Sequence, residues 1–283
     1  MEGIPQILVA VVPIYCLMVV GGGLRRARVL GPQMDDGLTK LVIHVLYPAL
    51  ILDKVLRAEL LRDFSVVAWA IIVGFAVIVI GLMVALLIGR AIGLRKGTGW
   101  RSFTLTAGVQ NYGYVAIPLL MVFFPENEAA VLGVLFTHSL GVELGIWTLG
   151  MFILRGKPMK SPREFISGPM VAVVVGLLMV LARVDTLVEH SKVTQFVFEI
   201  FLNLLHWLGL AAFPVGLLLI GTVISDVLGK ERYSLRIGVG SILVRMIVMP
   251  MVILSIAKFL PVVVEFKQVL LVQAAMPSAV API

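Results

Sequence analysis

The sequence predicts an all-α polytopic membrane protein built from inverted-topology five-helix repeats, and three observations predict it. Of 283 residues, 60% are hydrophobic and only 14% charged, with a mean hydropathy of +1.08; a soluble domain carries about 25% charge. Nine apolar runs can each cross hydrocarbon, which takes about 20 residues at 1.5 Å rise. Short proline motifs also recur between the two parts of the chain at nearly constant offset. A chain this apolar cannot cover itself with polar surface, so the lipid bilayer is its solvent and partner.

The nine spans fall at roughly 4–24, 38–56, 64–89, 102–124, 129–154, 168–184, 200–224, 237–260 and 268–283. All are expected to be helical, because irregular backbone and open sheet edges are not tolerated facing lipid. The first run, Ile4–Leu24, is a span and not a secretion signal: Glu2 precedes it, and no basic segment does. The polar stretch Asp185–Glu199 reads as a loop into the seventh span, in part an interfacial helix.

The loops set the orientation. Those after odd spans hold Arg25, Arg26, Arg28 and Lys40; Arg90, Arg95, Lys96 and Arg101; Arg155, Lys157, Lys160 and Arg163; and Lys230, Arg232 and Arg236. Those after even spans hold only Lys54, Arg57, Arg62, Arg183, Lys192, Lys258 and Lys267. The positive-inside bias therefore places the N-terminus outside and the basic loops in the cytoplasm of a cell inner membrane. The net charge of +7 is a topology signal and not a nucleic-acid surface. Cys16, the single cysteine, can form no intrachain disulfide and reads as a small packing residue, with no metal site near it.

The internal repeat rests on two matches. Tyr47-Pro48-Ala49-Leu50-Ile51-Leu52 in span two matches Phe213-Pro214-Val215-Gly216-Leu217-Leu218 in span seven, at an offset of 166. Ala116-Ile117-Pro118 in span four matches Ala275-Met276-Pro277 in span nine, at an offset of 159. Five helices per copy is odd, so the second copy enters the membrane inverted. The expected division is a first repeat at 1–154, a cytoplasmic loop at 155–167 and a second repeat at 168–283. The second copy stops inside its fourth helix, at Pro282-Ile283, where a fifth helix is expected to follow. The chain thus reads as a truncated or naturally shortened form.

Span four carries Thr106-Ala107-Gly108-Val109-Gln110-Asn111-Tyr112-Gly113-Tyr114-Val115-Ala116-Ile117-Pro118. Proline removes a backbone donor and clashes with the preceding turn, and glycine admits conformations that other residues avoid. Together they predict an unwound stretch deep in the bilayer, whose freed N–H and C=O groups need partners. Span nine mirrors it with Gln273-Ala274-Ala275-Met276-Pro277-Ser278. Interrupted helices at corresponding places in two repeats point to a binding site. The half-helix starting near Pro118 would aim its positive end at an anion. A pair of kinks that serve packing alone is the other reading.

The run Gln110-Asn111-Tyr112-Gly113-Tyr114-Val115-Ala116-Ile117-Pro118-Leu119 resembles the N-x-G-x-x-x-x-P-L crossover helix of the auxin efflux carrier family. So do Leu46-Tyr47-Pro48-Ala49-Leu50-Ile51 and Ala274-Ala275-Met276-Pro277-Ser278-Ala279-Val280, and Pro13-Ile14 … Gly21-Gly22-Gly23-Leu24-Arg25-Arg26 is similar to its first helix. The resemblance runs the length of the chain. It implies ten helices in two inverted repeats, with the broken fourth and ninth crossing at prolines, and transport of small organic anions such as auxin or dicarboxylates. It implies Asn111 at the substrate carboxylate and Pro118 and Pro277 at the crossover. The chain departs from the family pattern in its missing tenth helix and in Tyr112, where a small residue is usual. It also lacks the long central loop of the plant carriers, which points to a prokaryotic type.

Around this centre the candidate substrate-binding residues are Gln110, Asn111, Tyr112, Gly113, Pro118, Gln273, Pro277 and Ser278. An intramembrane charge costs about 2.5–3.5 kcal/mol on insertion scales, so each needs a reason. Glu143 could bind a coupling proton, or hold helices together as a protonated carboxyl. His138 could assist it or simply pack; five positions apart, the two lie about 140° around the helix from each other. Arg245 keeps its charge and needs a carboxylate such as Glu143, a ring of carbonyls, or an anionic substrate. His44 and Asp53 read as structural, Asp53 near the outer interface, and His206 and Glu199 as interfacial.

These features favour a secondary carrier of a small organic anion, working by alternating access. No G-x-x-x-x-G-K-[ST] run appears, so the energy comes from a gradient, with proton or sodium as coupling ion. Neither a cofactor nor a metal is called for. Without a His-Glu-x-x-His pattern, and with only four histidines, all scattered, an intramembrane enzyme is disfavoured. A channel or a non-transporting sensor on the same scaffold stays open, as does a homodimer.

Overall fold

A computed structural model describes residues 3–95, 97, 99–113, 115–157, 166–188, 191–228 and 234–278. Most of the loop expected at 155–167, the motif residues Tyr114, Ala279 and Val280, and the terminal Pro282-Ile283 lie outside the described residues. So do Lys96, Lys160, Arg163, Lys230 and Arg232.

The described chain is all-helical in its regular structure. In order it forms α1 (Gly3–Arg26), α2 (Pro32–Leu41), α3 (Tyr47–Arg57), α4 (Phe64–Ala91), α5 (Trp100–Gly108), α6 (Ala116–Phe123) and α7 (Glu128–Gly145). Then come α8 (Met151–Arg155), α9 (Gly168–Leu181), α10 (Val184–Val188), α11 (Lys192–Val227), α12 (Leu235–Ile242), α13 (Met249–Phe259) and α14 (Val264–Ala274). Among the described residues, five stretches are long and apolar enough to cross a membrane: Ile7–Arg26, Phe64–Ala91, Pro125–Arg155, Lys192–Val227 and Leu235–Phe259.

Wider π-helical turns join α2 to α3 at Val42–Leu46, α7 to α8 at Ile146–Gly150 and α12 to α13 at Leu243–Val248. Two of these turns sit just before a proline, Pro48 and Pro250. A proline cannot donate to the fourth carbonyl back and crowds it, so a widened turn there lets the helix continue.

The seventh span corrects one expectation. Where a loop that is in part an interfacial helix is expected over 185–199, the described residues form α10 and then the 36-residue α11 from Lys192. Pro214 lies within α11 without ending it.

Two compact units divide the chain. The first comprises Met1–Phe64, Met121–Gly133 and Ser167–Arg232, and the second Ser65–Leu120, Val134–Ile166 and Tyr233–Ile283. In the first unit α1 packs along α11, and α3 packs on both α9 and α11. The α1–α11 seam runs on glycine: a Cβ at Gly21 would overlap the Leu218 carbonyl oxygen, and one at Gly221 that of Met18. With no hydrophobic drive between helices in lipid, such close backbone approach supplies the packing.

The first unit also buries charge. The Asp53 carboxylate, 1% exposed, accepts from Arg57 Nε at 2.8 Å and meets Lys54 Nζ at 3.1 Å and His206 Nδ1 at 3.2 Å. Lys54 Nζ reaches Glu128 Oε1 at 2.9 Å. Asp53 is therefore the centre of an ion network, and His206 is tied to it.

Candidate functional site

In the second unit, the two proline-interrupted segments lose their helical regularity and meet. α5 ends at Gly108, and the chain does not resume a helix until α6 begins at Ala116. α14 ends at Ala274, and Met276–Ser278 are non-helical. Gln110 and Ser278 form an antiparallel bridge pair, and the Asn111 N–H donates to the Pro277 carbonyl at 2.8 Å. Some of the backbone groups freed by the breaks thus pair with each other across the joint.

Side chains extend the joint. Gln110 Nε2 donates to Gln273 Oε1 at 3.1 Å, and Gln273 Nε2 donates to the Tyr112 carbonyl at 3.3 Å. Arg245 Nε donates to the Ala107 carbonyl at 3.0 Å. Its Nη2 donates to Gln110 Oε1 at 3.1 Å and to the Gly108 carbonyl at 3.4 Å, and its Nη1 to Gln110 Oε1 at 3.4 Å. Of the three partners that the sequence allows for Arg245, the structure gives it carbonyls.

Burial sorts the predicted residues. Gln110, Gln273 and Arg245 are 0%, 1% and 2% exposed. Asn111, Tyr112, Gly113, Pro118, Pro277 and Ser278 are all half-buried. The buried polar groups form the joint, and the half-buried residues border it.

Close packing holds α5 against α4. A Cβ at Gly81 would overlap the Gly108 carbonyl oxygen, the same oxygen that accepts from Arg245. Sequence reasoning missed Gly81, because a lone glycine in an apolar helix looks like any other. It also missed the carbonyls of Ala107, Gly108 and Tyr112, which are invisible to side-chain motifs.

His138 and Glu143 both lie on α7. His138 is fully buried, stands edge-on to Phe266 with ring centroids 6.3 Å apart, and has no hydrogen-bond partner for either ring nitrogen among the described residues. Glu143 is half-buried.

No curated protein matches the chain. A family model described as membrane transport protein matches residues 6–168 and 162–283. Together with the apolar spans of the described chain, that match, which leaves only the first five residues uncovered, identifies a multi-pass membrane transporter belonging to the auxin efflux carrier family of membrane transport proteins.

Proposed function

We propose that this transporter carries a small organic anion, a carboxylate in the first instance, as an ion-coupled efflux carrier or permease working by alternating access. The observation that carries the reading is the half-buried Asn111 at the break between α5 and α6. Its amide can donate to a carboxylate, and the positive end of α6 adds to the attraction. No acidic residue occurs in 109–118 or 275–278, so no nearby carboxylate in these segments repels a negative charge. Tyr112, Gly113, Pro118, Pro277 and Ser278 complete the candidate site, with Gln110 and Gln273 behind it.

Coupling is assigned to Glu143 with His138, through a proton, with sodium as the alternative. A helix-embedded carboxyl and a buried imidazole without a partner are the groups of this unit best suited to take up an ion. The N-terminus is placed outside and the basic loops in the cytoplasm of the inner membrane, with the two halves as inverted repeats; a homodimer is compatible with this arrangement. A sensor or channel on the same scaffold is the competing reading.

A thermal-shift screen of purified protein against mono- and dicarboxylates tests the proposal. Hits then go into proteoliposomes for uptake and counterflow, with and without a pH gradient. Saturable counterflow of a carboxylate is expected. Stabilisation without flux would indicate a sensor, and flux without saturation or counterflow a channel. No carboxylate response at all would remove the anion reading.

A further inference from the structure

Arg245 occupies the middle of the π turn Leu243–Val248 and is 2% exposed. A guanidinium only donates, so every group it meets must present an oxygen. Two of those oxygens, on Ala107 and Gly108, belong to the end of α5. The last carbonyls of a helix have no partner within it and carry its negative pole, so a cation there is doubly favoured. The third oxygen is Gln110 Oε1.

That third contact fixes the polarity of everything beyond it. Because Gln110 must turn its oxygen to Arg245, its NH2 faces Gln273. Gln273 must then present its oxygen to Gln110, which leaves its NH2 for the Tyr112 carbonyl. An amide can flip when both its ends face ambiguous partners; here a donor-only group at one end and a carbonyl at the other allow one arrangement. The chain Arg245–Gln110–Gln273–Tyr112 therefore locks both breaks in one register. Asn111 lies between the two locked residues Gln110 and Tyr112.

We infer that Arg245 is the positioning residue of the transport site: its charge is spent on the α5 carbonyls and on orienting the amide chain, and it does not serve as the counterion of the transported anion. The inference rests on reading this crossing as the transport site. It assigns anion contact to the Asn111 face and gives Arg245 the task of holding that face in shape.

The test combines Cys16→Ser with Ser278→Cys, so that the only thiol sits at the joint. Labelling rates are measured in full-length protein in proteoliposomes with an anionic and a cationic methanethiosulfonate, carrying sulfonatoethyl and trimethylammonioethyl groups. Arg245→Met should open the joint and speed both reagents by about tenfold, the equivalent of one lost charge-assisted hydrogen bond, with their ratio unchanged. Arg245→Lys should restore slow labelling, since it returns a cation and donors to the same carbonyls. A purely volumetric role would not be rescued in this way. A fall in the anionic-to-cationic ratio without common acceleration would make Arg245 a counterion and overturn the inference, and so would unchanged rates. If Arg245→Met does not fold, the comparison of Arg245→Lys with the parent decides: a cation placed as counterion would keep the ratio dependent on distance and shift it, and a latch would leave it. Labelling is measured with no carboxylate present, so it reads the latch even if no carboxylate binds.

Discussion

Gln110 and Gln273, 163 positions apart, share a buried amide–amide hydrogen bond of 3.1 Å that joins the breaks of two different helices. Both are fully enclosed, so neither can trade this partner for water. Alanine at either position should lower the melting temperature in detergent, and the double variant should cost less than the two singles together. Hydrogen bonds between membrane helices couple by about 0.6 kcal/mol on average and up to about 1.7 kcal/mol. A coupling near 1 kcal/mol is expected here, because Arg245 polarises the pair. Strictly additive losses would show that the two amides do not act as a unit.

Asn111 spends its backbone N–H on Pro277 and is itself half-buried. Asn111→Ala should therefore leave the joint and the melting temperature almost intact while abolishing stabilisation by whichever carboxylate stabilises the parent. Retained ligand-induced stabilisation would take Asn111 out of the site.

The Asp53 network separates a buried partner from an exposed one. Asp53 is 1% exposed and joins two cations and an imidazole, whereas the His206 side chain is 40% exposed. Removing one partner of a buried ion pair strands the other, at about 3–5 kcal/mol, so Asp53→Asn should strongly reduce expression and lower the melting temperature. His206→Asn should cost below about 1 kcal/mol, because solvent screens a half-exposed pair. Equal losses from the two variants would mean that the network does not centre on Asp53.

Glu143 and His138 test the coupling assignment. Glu143→Gln removes the ionisable carboxyl with little change of shape, so uptake should lose most of its response to an imposed pH gradient. Full pH dependence in Glu143→Gln, with loss in His138→Gln, would move the coupling group to the imidazole.

Much of the second unit's site is legible in the sequence because proline and glycine act locally. Pro118 and Pro277 mark breaks by removing a donor, and a break inside a bilayer demands a partner for its freed groups. The partner itself is harder to read. Gln110 and Gln273 stand out as amides in apolar helices, but nothing in their spacing says that they pair. Arg245 announces a need for oxygens without naming them, since backbone carbonyls leave no mark on a side-chain pattern. The Asp53–His206 contact was unreadable for a related reason: His206 lies in a stretch whose flanking polar residues suggest an interface, and only the packing of α11 on α3 carries it inward. The early start of α11 was hidden by Lys192 and Glu199, which read as loop although a helix can run past a membrane surface into water.

Glycine offers a contrast of sign. At Gly81 a Cβ would meet the Gly108 carbonyl oxygen, backbone against backbone, with no flexible side chain to give way. That oxygen also accepts from Arg245, so Gly81→Ala should force α4 and α5 apart and weaken the latch in one step. Overpacking costs about 1–3 kcal/mol, and this position belongs at the upper end. At Gly23 in α1 a Cβ meets nothing within 4 Å. Gly23→Ala should leave the melting temperature unchanged or raise it, since alanine is better in a helix than glycine by up to about 1 kcal/mol. Thermal melts of the two single variants make the comparison, beside labelling of the Ser278→Cys thiol with and without Gly81→Ala. A destabilised protein with fast labelling from Gly81→Ala only is the expected pattern. If Gly81→Ala melts with the parent, the α4–α5 approach does not hold the Gly108 carbonyl in place.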